Sequence, residues 1–364
     1  MSLFLSGGSS SPAGQLASFC IEGSFQDPQK IKELASISDI ITVEIEHVNA
    51  DILEQLEDAG HVVRPNARTI RLIQDKYAQK IHLAEHGIPV PDFMATSDVQ
   101  EAREAGLRYG YPFVLKNRRL AYDGRGNCVV NSEEDLQAAF DKLGSNEIYA
   151  EKWAPFVKEL AVMVARTKDQ TLCYPVVETV QQNSVCHLVT APAQISQTAI
   201  QHALDIAKKA VSTLDGIGIY GVELFLLADD TVLLNEIAPR PHNSGHYTQE
   251  ACEVDQFEMH IRAILDLPCP PPRMKVGSAM MVNVLGQSVD MAPVSATVRT
   301  ALGVQGAAVH WYGKAESRPG RKMAHITLTA KDFNELKERV ELLGIEQKKH
   351  NIVCSGPRVG VIMG

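Results

Sequence analysis

The chain has 364 residues, 45% of them hydrophobic and 22% charged, with a formal net charge of −9. This size calls for two or three domains of ordinary globular composition. The negative balance disfavours bulk nucleic-acid or anionic-membrane binding, so an anionic ligand needs a local basic cluster. No apolar run is long enough for a transmembrane helix, and the start has no secretory pattern, which predicts a cytoplasmic protein with no membrane partner. Seven scattered cysteines, none in a Cys-x-x-Cys pair, argue against a disulfide framework and for a reducing compartment.

Residues 6–12 read as flexible. A helix at 28–36, a buried strand at 40–43, a helix at 51–59 and a short strand at 62–63 suggest part of a parallel α/β domain over residues 1–67. A long helix is expected at 70–86, closed by Gly87 and followed by Pro89. Another starts at Ser97. A strand at 113–116 leads into a basic loop, 118–127, and a strand at 128–130. Asn131 and Ser132 are expected to cap a helix at 133–143. Strands at 147–151, 159–166 and 171–179, a helix at 196–214 and a hairpin at 219–237 complete an α+β region, residues 68–265, with a mostly antiparallel sheet. The proline-rich stretch 267–272 is a stiff connector. It leads to a smaller domain, residues 266–352, with strands and one clear helix at 332–343. Residues 353–364 read as a linker and the opening strand of a further domain.

The hairpin carries the most chemistry. Centring it on Asp229-Asp230 pairs Leu227 with Val232, Phe225 with Leu234 and Glu223 with Glu236. Like charges directly opposite are destabilising. A cation between the two carboxylates removes the conflict, and few hard oxygen donors suit Mg²⁺ shared with phosphates. A solvated hairpin with two exposed glutamates is the plainer alternative.

Other residues fit an anion site. The loop holds Arg118, Arg119 and Arg125 with Gly124 and Gly126, where glycines let backbone N–H groups approach phosphate. Glu44 ends a strand expected to be parallel, where ligands bind in α/β sheets. Lys314, Arg318, Arg321 and Lys322 surround a Pro319-Gly320 turn, a candidate phosphate clamp. His242 and His246 have i,i+4 spacing, but Pro241 and Gly245 interrupt it, which argues against a zinc pair.

Lys116, Ala121-Tyr122-Asp123-Gly124-Arg125-Gly126, Glu151-Lys152-Trp153, Glu223 and the string from Asn235 to His246 together resemble the ATP-grasp superfamily. Within it they are most similar to the N5-carboxyaminoimidazole ribonucleotide synthetase family. The resemblance spans most of residues 11–345. It implies an ATP-grasp fold, α/β and α+β, with a central nucleotide domain and a small C-terminal domain. It also implies a ligase that carboxylates aminoimidazole ribonucleotide with bicarbonate and ATP. Glu223, Glu236 and Asn235 would hold Mg²⁺. Lys76 and Lys116 would reach ATP phosphates, as would the loop glycines Gly124 and Gly126. The backbone of Glu151, Lys152, Trp153 and Ala154 would read adenine, and Glu159 the ribose. Arg240, His242 and Asn243 would hold bicarbonate and carboxyphosphate. Tyr122, Asp123, Arg125 and Glu44 would face the ribonucleotide, with Lys314 and Arg321 on its 5′-phosphate. The resemblance further implies a homodimer and, from residues 358–364, a fused mutase domain of the fungal type. The family's opening strand, Gly-rich turn and helix are not found, so the N-terminal domain is expected to be incomplete. Another ATP-grasp ligase, or a catalytically incomplete nucleotide-binding domain, are the competing readings.

Overall fold

The computed structural model describes residues 2–5, 8–9, 11–120, 126–144, 147–182 and 185–344. The chain opens with strand β1 (Ser2–Leu5), which the sequence reading left unassigned. It pairs in parallel with β2 (Phe19–Glu22). Helix α1 (Pro28–Ala35) has Asp27 as its N-cap and proline in its first turn. Strand β3 (Ile40–Ile41), helix α2 (Ala50–Asp58) and strand β4 (Val62–Val63) follow. β3 and β4 form a second parallel pair, separate from β1–β2. Ile31, Ile41, Leu53, Leu56, Val63 and Ile70 pack this end into one core.

The long helix expected at 70–86 is two helices, α3 (Ala67–Gln74) and α4 (Lys76–Glu85). Asp75 sits extended between them, and its carboxylate accepts the N–H groups of Tyr77 and Ala78. A capping side chain at that position starts a new helix rather than continuing the old one. The break turns Lys76 and Lys80, one helical turn apart, toward the hairpin.

A four-stranded sheet comes next, ordered β5 (Phe93–Thr96), β8 (Ile148–Lys152), β6 (Phe113–Asn117), β7 (Asn127–Val130). Helices α5 (Val99–Tyr109) and α6 (Leu136–Leu143) cover one face, burying Ala102, Ala105, Leu136 and Ala139 against Phe113 and Leu115. A short 3-10 turn at Glu133–Asp135 precedes α6, and no side chain caps either segment, so the cap expected from Asn131 and Ser132 is not made.

The main sheet has nine strands. Its path runs β14 (Val232–Ala238), β13 (Gly218–Leu227), β9 (Phe156–Arg166), β11 (Val177–Gln182), β12 (Val185–Ala191), β15 (Ser278–Leu285), β17 (Lys322–Ala330), β16 (Ala307–Trp311), with β10 (Thr171–Cys173) beside β9. The strand expected at 171–179 is therefore two, interrupted around Pro175, which has no N–H for a ladder. β12 was not foreseen. The C-terminal strands extend the same sheet, antiparallel throughout. Helix α7 (Gln197–Ser212) lays Ala199, Ala203, Ala207 and Ala210 on one face of the sheet, small side chains that permit close approach. Helices α8 (Thr248–Ala251) and α9 (Gln256–Ile264) cover the opposite face. Helices α10 (Ala292–Ala301), also unforeseen, and α11 (Phe333–Leu342) cover the C-terminal strands. No described helix is long and apolar enough to cross a membrane.

Candidate active site

A cavity of about 440 Å³ lies between the four-stranded sheet and the β9–β13–β14 part of the large one. The hairpin supplies its floor. Glu223 and Glu236 are cross-strand partners, as expected, but the rest of the predicted register is off by one. Leu226 pairs with Val232, Phe225 with Leu233 and Leu224 with Leu234. A bulge then leaves Asn235 without a partner residue, and the glutamates meet beyond it. The bulge re-aims a residue that strict alternation would turn away. Asn235 and Glu236, neighbours in sequence, thereby both line the cavity.

Each hairpin carboxylate already has a basic or polar companion. Lys76 Nζ contacts Glu236, and His242 Nε2 stands 3.4 Å from Glu223 Oε1. Burial would raise the Glu236 carboxyl, but Lys76 outweighs it and holds the group below the usual range. Among the described residues no lysine or arginine touches Glu223, and the attraction of Lys76 and Arg240 is too weak to offset its surroundings. Burial and the charge of Glu236 push its carboxyl up to about 8, so it keeps a proton near neutral pH. Burial, reinforced by Arg240, lowers His242 to about 4. Its Nδ1 stands 2.7 Å from Ser244 Oγ. A Cβ on Gly221 would lie 2.5 Å from His242 Cβ, so only glycine lets the imidazole pack down on β13.

The cavity wall is built around one buried carboxylate. Glu151 takes Lys116 Nζ at 2.5 Å on one oxygen and Lys80 Nζ at 2.9 Å on the other. Lys116 pairs with Tyr149, so Glu151 is its diagonal neighbour on the same face of the sheet. Lys116 also donates to Asn235 Oδ1 at 3.4 Å. Lys152, Trp153, Ala154 and Glu159 line the same space. Burial pushes the Glu159 carboxyl up to about 7. Phe156 and Phe225 stack there, ring centres 4.7 Å apart and 9° from parallel, with Trp153 beyond Phe156.

Arg240 and Asn243 also line the cavity, and Arg240 donates to both oxygens of Glu46. Glu44, on the exposed side of the same segment, lies outside the lining but feels the charges of Arg240 and Lys314. Lys314, Arg318, Arg321 and Lys322 are brought together, and Lys314 is lowered by burial and by the other three. Lys322 reaches the cavity; Lys314 and Arg321 do not line it. Arg118 and Arg119 turn to Asp75 instead of the cavity. Gly126, at φ +83°, accepts the Asn117 N–H through its carbonyl. Tyr122, Asp123, Gly124 and Arg125 lie outside the described residues, as do residues 345–364.

Sequence reasoning missed Lys80, Glu46, Phe156, Phe225 and the cavity role of Lys322. Lys80 had a usable signal, its i,i+4 spacing from Lys76 on one helix face. The arrangement suits a magnesium polyphosphate. Two carboxylates and an amide offer hard oxygen donors, and cations surround them. Among the described residues no group of three or more His, Cys, Asp or Glu side chains is placed to hold a metal unaided. His242 and His246 point to different partners, Ser244 and Gln256, which fits the argument against zinc.

Known proteins resemble this chain along its length. Residues 81–257 match the model of the ATP-grasp domain, 2–74 that of the ribonucleotide synthetase preATP-grasp domain, and 279–339 that of the phosphoribosylaminoimidazole carboxylase C-terminal domain. The chain is 46% identical over 350 residues to the phosphoribosylaminoimidazole carboxylase of Schizosaccharomyces pombe, covering 94% of this chain but 62% of that protein. It is 40% identical to the N5-carboxyaminoimidazole ribonucleotide synthase of Synechococcus elongatus, covering 87% of this chain and 80% of the relative. A crystal structure of N5-carboxyaminoimidazole synthase from Aspergillus clavatus, in complex with ADP and 5-aminoimidazole ribonucleotide, superposes with a TM-score of 0.87. That match is at 40% identity over 92% of this chain and 89% of that one.

Proposed function

Because this chain belongs to the N5-carboxyaminoimidazole ribonucleotide synthase family of ATP-grasp ligases, we propose that it carboxylates 5-aminoimidazole ribonucleotide at its exocyclic amine, using bicarbonate and ATP and releasing ADP and phosphate. The observation that carries this reading is the opposed pair Glu223–Glu236, ringed within one cavity by Lys76, Lys116, Arg240 and His242.

Phosphoryl transfer is largely positioning and charge neutralisation. Glu223, Glu236 and Asn235 would hold Mg²⁺, which neutralises charge on the β- and γ-phosphates. Lys76, which contacts Glu236, and Lys116, which contacts Asn235 and Glu151, would meet the ATP phosphates. The base lies along Trp153, Phe156 and Phe225, its edge read by the backbone of Glu151–Ala154, with Glu159 toward the ribose. Arg240, His242 and Asn243 position bicarbonate, and Arg240 and His242 stabilise the carboxyphosphate anion. Glu44, Tyr122, Asp123 and Arg125 face the ribonucleotide, and Lys314 and Arg321 hold its 5′-phosphate. A homodimer, a cytoplasmic location and a fused mutase domain belong to the same proposal. The Schizosaccharomyces pombe relative is longer than this chain, which spans 62% of it.

The test is ADP release with Mg·ATP, leaving out bicarbonate or the ribonucleotide in turn. Turnover that needs both substrates supports the assignment; turnover indifferent to the ribonucleotide removes it. A second expectation concerns protons. Glu223 must lose its proton to bind metal, and in the free protein it does so only near pH 8. Mg·ATP affinity should therefore rise with pH through about 7 to 8, with proton release at pH 7. Calorimetry in two buffers of different ionisation enthalpy measures that release directly, and equal heats in both would reject a protonated Glu223.

A further inference from the structure

Three histidines from distant parts of the chain stand in one column beside the cavity. His246, in the loop after β14, stacks on His325 of β17, with ring centres 4.8 Å apart and planes 27° apart. His325 stacks on its cross-strand partner His310 of β16 at 4.3 Å and 11°. Burial is the main cause that lowers His246 to about 3 and His325 to about 2, so these two rings are neutral and stack without charge repulsion.

Both ends of the column are tied to one segment. Gln256 accepts the His242 N–H at 2.9 Å and donates to the His242 carbonyl at 2.9 Å, and its amide nitrogen lies 3.0 Å from His246 Nδ1. A shift of His246 therefore disturbs the grip on His242. At the other end, His310 Nε2 stands 2.7 Å from Glu250 Oε1, four residues beyond His246. The middle of the column reaches the basic turn. Tyr312 Oη lies 2.7 Å from His325 Nδ1, and the Lys314 ammonium stands 5.3 Å from the Tyr312 ring centre. Lys314 also donates to the Lys322 carbonyl at 2.7 Å. His325 is only 3% exposed, and its Nε2 has no hydrogen-bond partner among the described residues. A phenylalanine would fill the space without that unmet group, so the imidazole is explained by what its other nitrogen does.

We propose that the column His246–His325–His310 is a positioning device that couples the turn around Lys314 to the loop carrying Arg240 and His242. The inference rests on the reading that Lys314 meets the ribonucleotide phosphate. A phosphate drawing Lys314 away from Tyr312 and the Lys322 carbonyl changes the Tyr312–His325 contact. The stack passes that change to His246 and, through Gln256, to the main chain of His242. His325 and Tyr312 are positioning residues, since neither lines the cavity.

The test compares His325→Ala, His325→Phe and Tyr312→Phe. The readouts are KM for ATP, basal ADP release without ribonucleotide, and stimulation by ribonucleotide. His325→Ala should lower the stimulated kcat by about tenfold or more, with basal release and KM for ATP nearly unchanged. His325→Phe keeps a flat ring but drops Nδ1, so it should lose the stimulation as His325→Ala does while keeping the fold, even if the alanine variant folds poorly. Tyr312→Phe, which drops only the hydroxyl, should weaken stimulation and raise KM for the ribonucleotide. Full stimulation in His325→Ala or in His325→Phe would overturn the column. So would a rise in KM for ATP that tracks a fall in thermal midpoint. Absence of stimulation in the unaltered protein would instead remove the proposed function on which the inference stands.

Discussion

Glu223→Gln is expected to lower Mg·ATP turnover by roughly 10³-fold while making the ligand-free protein more stable near neutral pH. Glu236→Gln is expected to lower both. The two carboxylates are partners in one ladder but differ in their surroundings. Glu223 keeps its proton up to about pH 8, against an ordinary value of 4.5. A group with a raised folded-state value contributes stability that is complete below the unfolded value and is lost as pH rises through the folded one. The stability lost by wild-type protein between about pH 4.5 and 8 is not lost by the glutamine variant. The gap between them should therefore grow across that window and level off above it. Glu236 is ionised and touches Lys76, so glutamine there leaves an ammonium without its charge partner. The cost should be about 1–2 kcal/mol, reduced because Glu236 is partly exposed. Judged from like-charge repulsion alone, Glu236→Gln would be neutral or mildly stabilising. The Lys76 contact reverses that sign and transfers the relief to Glu223. Denaturant midpoints from pH 4 to 9, without metal or nucleotide, separate these outcomes. A wild-type-minus-Glu223→Gln difference that is flat with pH would mean that Glu223 is ionised in the free protein.

The hairpin also shows what a sequence can reveal and what it hides. The pairing of Glu223 with Glu236 was legible because two apolar runs flank a turn and can be counted outward. The count was nevertheless off by one at the turn, where Leu226 meets Val232, and the bulge at Asn235 restored it. A bulge has no fixed sequence signal, so the two offsets cancelled by structure rather than by reasoning. Lys76, Lys116, Arg240 and His242 were found through their resemblance to a motif, and the fold gathers them in one cavity. Lys80 was not found, because a buried lysine breaks the apolar pattern that marks a core position. Glu151 was read for its backbone, while its side chain proves to be the centre of the cavity wall. The joining of β15, β16 and β17 to the main sheet was equally hidden. Local patterning marks a strand but does not state which distant edge it meets. The histidine column is the extreme case. Its members come from three separate segments, and no spacing in the chain relates them.

Glu151→Gln is expected to be among the most destabilising single substitutions in the molecule, about 3–5 kcal/mol, and to abolish tight nucleotide binding as well. Lys80→Met should change stability by only about 1 kcal/mol or less. The side chains of Lys80, Glu151 and Lys116 are 2%, 3% and 11% exposed. One carboxylate thus serves two ammonium groups away from water, and the trio carries a net positive charge opposite the space proposed for triphosphate. Burial lowers Lys80 to about 8 despite the attraction of Glu151. Burial alone would raise Glu151, but Lys116 and then Lys80 hold it below the usual carboxylate range. Neutralising Glu151 leaves two buried cations facing each other, with Glu236 the next acid whose charge reaches them. Removing Lys80 instead leaves a one-to-one pair, Lys116 with Glu151, in unchanged contact. The charge on Lys80 is a burden below pH 8 that eases as pH rises toward its ordinary value of 10.5. Any advantage of Lys80→Met should therefore shrink across that interval. The decisive comparison is the double variant. If charge balance governs the wall, Lys80→Met added to Glu151→Gln should recover part of the lost stability, because one of the two stranded ammonium groups is gone. If the wall depends on the hydrogen-bond geometry of Glu151 alone, the double variant will be no more stable than Glu151→Gln in urea denaturation.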